Sequence, residues 1–139
     1  GDARLHFARG DLNLTLARYY EALLDFDQVV ELAPDAIEGY YGRGLTYEAQ
    51  EDYPKGVAEF EKALKAAPKE PILHTAHGRV LEAMGNYMGA LKDYEELVRL
   101  QPRQASSHAR RATALTGLSS YDRAVEAYDR ALALNGRDS

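Results

Sequence analysis

Apolar and small residues return along this chain with two nested periods. Over short windows they fall on one face of a helix. Val57, Phe60, Ala63 and Leu64 are spaced i, i+3, i+6 and i+7 ahead of Pro68, which ends the run. Over the whole chain the same face returns every thirty-four residues. Tyr19, Tyr53, Tyr87 and Tyr121 form one column, and Phe26, Phe60, Tyr94 and Tyr128 a second. Gly10, Gly44, Gly78 and Ala112 form a third, Ala22, Gly56, Ala90 and Ala124 a fourth, and Pro34, Pro68, Pro102 and Gly136 a fifth. Columns held in step over nearly the full length predict a repeat protein, with a core that runs as a strip between neighbouring units.

Each unit reads as two helices. In the second unit, Asp35-Ala-Ile-Glu38 has the spacing of a capping box, so a helix is expected just after Asp35. Tyr40, Gly44, Leu45 and Tyr47 carry it to about Gln50. Asp52 is an N-cap candidate, and Pro54 fits the first turn that comes after it because its missing N–H has no partner there. Asn86 and Ser120 occupy the slot of Asp52, and Pro71 opens the third unit. The spacing predicts helices over 3–16, 19–32, 37–50, 53–66, 71–84, 87–100, 105–118 and 121–134, with no strand. Short connections make each pair an antiparallel hairpin. Glycine inside a helix costs roughly 0.5–1 kcal/mol relative to alanine. The Gly10, Gly44 and Gly78 column therefore implies close helix approach, with the Ala22 and Gly56 column as the facing small surface.

These columns resemble the tetratricopeptide repeat, whose thirty-four-residue unit has an aromatic at position 4, glycine at 8, tyrosine at 11 and 17 and alanine at 20, then aromatic, alanine and proline at 24, 27 and 32. The units 3–36, 37–70, 71–104 and 105–138 fit it, and the second matches best through Tyr40, Gly44, Tyr47, Tyr53, Phe60, Ala63 and Pro68. The resemblance implies an all-α, right-handed solenoid of four antiparallel helix hairpins, forming a single domain over 1–139. Position 7 departs from the family's leucine, carrying Arg9, Arg43, His77 and Arg111. A charge at a half-buried position is costly unless paired. Asp25, Glu59 and Asp93 at position 23 are the expected partners, and the fourth unit, with Ala127 there, should lack the pair.

Composition narrows the function. With 45% hydrophobic and 28% charged residues the chain is an ordinary globular sequence, and no apolar run is long enough to span a membrane. A net charge of −5 argues against nucleic acid or an anionic membrane surface as the main partner. The lack of cysteine removes disulfides, thiol catalysis and Cys-based metal sites. The chain begins Gly-Asp rather than with methionine and reads as a piece of a longer protein that could have lost a targeting segment. The compartment stays open, the cytoplasm being favoured.

Candidate chemistry is sparse. His6, His74 and His108 stand at position 4, where the family places an aromatic, and read as packing residues. His74 and His77 share a helix face, yet zinc requires three or four ligands and no carboxylate in that helix's first turn joins them. The column Asp27, Glu61, Glu95 and Asp129 reads as a solvated face. Ser106, Ser107, Ser119 and Ser120 lie in no nucleophile elbow, and no phosphate-binding glycine loop occurs. No enzyme activity, cofactor or metal is expected.

The resemblance places ligand-facing side chains at positions 2, 5, 9, 12 and 13 of each first helix. The expected peptide groove then holds Phe7, Asp11, Tyr41, Leu45, Glu48, Thr75, Arg79, Glu82, Ala109 and Thr113, with Arg4 and Glu38 nearby. The family's carboxylate clamp is absent, its slots holding Phe7, Asp11, Gly42, Ile72 and Ala76. Its asparagine ladder is absent too, since that column is Ala8, Gly42, Ala76 and Arg110. The expected function is a non-enzymatic scaffold that binds a protein or peptide segment in its concave groove. The alternatives are a regulatory or targeting arm of a larger enzyme, or a scaffold that self-associates through its C-terminal repeat, where Tyr128, Leu132 and Leu134 lack a capping helix.

Overall fold

A computed structural model of the chain describes residues 2–137. They form α1 (Asp2–Thr15), α2 (Tyr19–Leu32), α3 (Ile37–Ala49), α4 (Tyr53–Ala66), α5 (Pro71–Ala83), α6 (Tyr87–Leu100), α7 (Ala105–Gly117) and α8 (Tyr121–Arg137). The period-derived boundaries are met within a residue or so until α8, which runs on to Arg137. Among the described residues there is no strand. The chain divides into two compact units after Leu73, inside α5. In the first, α1 pairs with α2, α3 packs on α2, and α4 closes on α3. In the second, α7 packs on α6 and α8 closes on α7.

The hairpins are spaced by a ring set into a missing side chain. A Cβ added to Gly10 would lie 2.8 Å from the Phe26 ring, one on Gly44 2.5 Å from Phe60, and one on Gly78 2.6 Å from Tyr94. The glycine column therefore also admits the aromatic column, which the pattern alone does not indicate. The Ala22 and Gly56 column also sits close to the first helix, but less tightly. A Cβ on Gly56 would stand 3.5 Å from the Gly44 carbonyl oxygen, which is ordinary contact. That difference explains why alanine fills the other three places in that column. Phe26, Phe60 and Tyr94 are fully buried, whereas Tyr128, opposite Ala112, is 40% exposed.

Each hairpin turns through the same backbone device. Ala17, Glu51, Gly85 and Ser119, thirty-four residues apart, all have positive φ, between 59° and 80°. The N–H of the next residue bonds back across the helix end, Arg18 to the Asn13 carbonyl, Asp52 to Tyr47, Asn86 to Leu81 and Ser120 to Leu115, at 2.8 to 2.9 Å. This is the Schellman arrangement, which satisfies carbonyls left open at a helix end. The caps after the turn form where expected, with Asp52 accepting from the Lys55 N–H and Asn86 from the Gly89 N–H. The Asp35 capping box does not form. α3 is capped at Ala36 in an extended conformation, without a side-chain bond.

Replacing Gly44 by alanine should destabilise the chain by about 1–3 kcal/mol, since overpacking against Phe60 outweighs the gain in helix propensity. Gly56→Ala should leave stability unchanged or raise it by about 0.5–1 kcal/mol. Urea unfolding midpoints of the two variants check both signs.

Candidate functional site

The charged position-7 column becomes a set of ion pairs on buried carboxylates. The Arg9 guanidinium donates to both Asp25 oxygens at 2.7 to 3.0 Å, and Arg43 donates to Glu59 at 2.8 Å. His77 Nδ1 donates to Asp93 at 2.6 Å. In the fourth unit Ala127 holds the place of the carboxylate, so that column has none to offer Arg111. Helical spacing brings position 4 to the same carboxylate as position 7. His6 Nδ1 lies 3.1 Å from Asp25, and His74 Nδ1 lies 3.1 Å from Asp93. Each aspartate thus joins two basic side chains of the preceding helix, and Asp25 also accepts from Asn13 at 3.2 Å. The Arg9 hydrogen bond holds the Asp25 carboxyl below its ordinary value, against the opposing effect of burial.

The first turn of their own helix offers His74 and His77 no carboxylate. Asp93 comes instead from α6, and the spacing of the position-7 and position-23 columns is the signal for it. Because a carboxylate accepts, the His77 proton sits on Nδ1, leaving the buried Nε2 without a partner. Among the described residues no group of three or more histidines and carboxylates is placed to hold a metal ion. In the fourth unit, His108 instead donates from Nε2 to the Pro102 carbonyl at 2.7 Å.

These internal pairs occupy the seams of the first three hairpins. The groove residues stand on the first helices. In the first unit, Phe7 tilts against Phe26, centroids 6.0 Å apart, and Tyr41 against Phe60, 6.1 Å apart. Phe7, with Arg4 and Glu38, borders a cleft of about 440 Å³ that Val29 and Ala33 help to line. Asp11 stands exposed on α1, while Tyr41, Leu45 and Glu48 are half-buried on α3, away from that cleft. In the second unit Arg79, Glu82, Ala109 and Thr113 line one cleft of about 540 Å³, together with Tyr87, Arg110 and Tyr128. Thr75 is half-buried on α5 and does not line it.

Beneath that cleft the Tyr94 hydroxyl donates to Glu82 at 2.8 Å. Burial, and then the Glu82 carboxylate, push that hydroxyl well above the usual tyrosine range, with Arg110 opposing. Tyr94 therefore stays a neutral donor that orients Glu82 at the cleft edge. Tyr87, Arg110 and Tyr128 lie outside the expected groove set. Tyr87 and Tyr128 stand at repeat positions 17 and 24, core columns in the pattern, while Arg110 stands in the column of the missing asparagine ladder.

Hairpins joined by a recurrent turn, with a ring-in-glycine seam, define a helical-repeat protein of the interaction-scaffold class. The sequence profile of the tetratricopeptide repeat matches residues 2–71 and 75–139, and the chain belongs to that family. No curated protein matches it in sequence. Among solved structures it is similar in fold to a crystal structure of MamA, with a TM-score of 0.89 at 18% identity, covering 98% of this chain and 80% of that one. It is likewise similar to residues 41 to the end of MamA from Desulfovibrio magneticus RS-1, with a TM-score of 0.88 at 24% identity, covering 98% and 77%. Members of the family bind protein partners. Among the described residues no helix is long and apolar enough to cross a membrane.

Two predictions concern the seam. A folded-state value held low means that the Asp25 contribution to stability is present above the ordinary carboxyl value of 3.8 and is lost as pH falls through the lowered value. The stability difference between wild type and Asp25→Asn, read from urea midpoints, should therefore be constant near neutrality and shrink steadily below pH 3.8. Glu59→Ala should cost about 3 kcal/mol, because it leaves Arg43 at a half-buried position with only Asp27, 3.5 Å away. An unchanged unfolding midpoint would show that the pair contributes nothing.

Proposed function

We propose that the chain is a non-enzymatic protein-interaction module that holds an extended or helical protein segment on its first helices. One observation carries this reading. Arg79, Glu82, Ala109 and Thr113, chosen by repeat position alone, line a single cleft. The cleft combines the rings of Tyr87 and Tyr128 with two guanidinium groups and one carboxylate, which suits apolar anchors accompanied by some charge. Phe7, Asp11, Tyr41, Leu45, Glu48 and Thr75 are assigned to the same kind of face on the other first helices. Because the helices are ordered before a partner arrives, little receptor entropy is lost on binding.

The test begins with peptides selected by display against the whole chain and measured by calorimetry. Ala109→Glu and Thr113→Arg should each weaken binding about tenfold or more at unchanged helicity. The amide resonances of residues 79, 82, 109 and 113 should shift on titration. Selected peptides that bind both variants as well as wild type would move the site off this cleft.

A further inference from the structure

Inside each compact unit, the second helix of one repeat is covered by the first helix of the next. In the first unit α3 lies on α2. Cβ atoms added to Gly39 and Gly42 would meet Val30 and Phe26 at 2.6 and 2.5 Å, and Arg43 reaches back to Asp27 at 3.5 Å. In the second unit α7 lies on α6, where a Cβ on Gly117 would meet Tyr87 at 2.3 Å, and Ser107 and Ala114 are fully buried.

Two faces of this kind stay open among the described residues, and they are opposite halves of one contact. On α8, Tyr121, Val125, Tyr128 and Leu132 stand at i, i+4, i+7 and i+11, between 40% and 67% exposed. Their counterparts in the preceding repeat are Tyr87, Leu91, Tyr94 and Val98, of which Leu91 and Tyr94 are buried. On α1, Leu5 and Leu12 are 70% and 57% exposed at the repeat positions where Ser107 and Ala114 are buried. With Ala8 they line an apolar groove of about 550 Å³.

We propose that a second copy of this chain docks its α1 face on the α8 face of the first, head to tail, in the register of the α6–α7 contact, which carries side chains at the places where α3 has Gly39 and Gly42. The register pairs Tyr128 with Ala8, as Tyr94 meets Arg110, and Leu132 with Leu5, at the places of Val98 and Ser107. It also places Arg9 of one copy at Asp129 of the other, as Arg43 meets Asp27. Arg9 keeps 67% of its side chain exposed while bonded to Asp25, so a second carboxylate has access to it. The contact is heterologous, so every copy offers one face of each kind to further copies. The two surfaces share Tyr128, but Leu5, Leu12, Val125 and Leu132, where the test variants lie, do not line that cleft.

Sedimentation of the 139-residue chain from low micromolar to about 1 mM should show mass rising with concentration through several species. A Leu5→Asp, Leu12→Asp variant and a Val125→Asp, Leu132→Asp variant should each be monomeric alone, with helicity unchanged by circular dichroism. Mixed, they should form a dimer and stop there, because each keeps one working face. Asp129→Lys alone should weaken association about tenfold. A wild-type chain that stays monomeric throughout would overturn the proposal. So would either double variant that still associates alone, or a mixture that stays monomeric. A closed wild-type dimer would overturn it too.

Discussion

A ring seated where a side chain is missing sets the geometry of three hairpins. Phe26, Phe60 and Tyr94 each fill the space left by Gly10, Gly44 or Gly78, and the two helices close to the width of that ring. Closure brings position 7 of the first helix within hydrogen-bond reach of position 23 of the second, so the buried carboxylates there meet the basic groups of that column. Without them, Arg43 and the imidazoles would be charges or dipoles at the seam with no compensating partner, at a cost of several kcal/mol. Apolar fit comes first, and the ion pairs depend on it.

In the fourth repeat that fit is relaxed. Ala112 puts a methyl group where the others admit a ring, and Ala127 removes the carboxylate, so both halves of the seam change together. Tyr128 is left partly outside, where it becomes a wall of the cleft shared with Tyr87 and Arg110. A ring withheld from the core thus becomes surface. The exposed stripe on α8 has a different origin, since its residues are the repeat's core positions without a further helix among those described.

Much of this is legible in the sequence alone. A thirty-four-residue period places the same residue in the same environment four times, which suffices for the helices and for the Arg9–Asp25 and Arg43–Glu59 pairs. Features that depend on two elements meeting at an angle are not legible in that way. That His74 joins His77 on Asp93 is one of these, although the His77–Asp93 pair itself follows from the columns. The capping box at Asp35 misleads because a matching spacing is only permissive. Ala36 enters α3 from an extended backbone that leaves the Asp35 side chain outside the cap. The cleft is half legible. Arg79, Glu82, Ala109 and Thr113 derive from outward-facing repeat positions, but Tyr128 reaches the cleft only because its own repeat is irregular.

The turn column points in a different direction. Ala17, Glu51, Gly85 and Ser119 share one left-handed backbone state, yet no two are alike, and all four are exposed. The helices on either side, through their terminal carbonyls, dictate the bend, and the residue at its apex merely tolerates it. For anyone wishing to decorate this scaffold, these apices are natural points of attachment. A fluorophore, a tether or an inserted peptide placed there would ride on a shape that its own chemistry does not have to maintain.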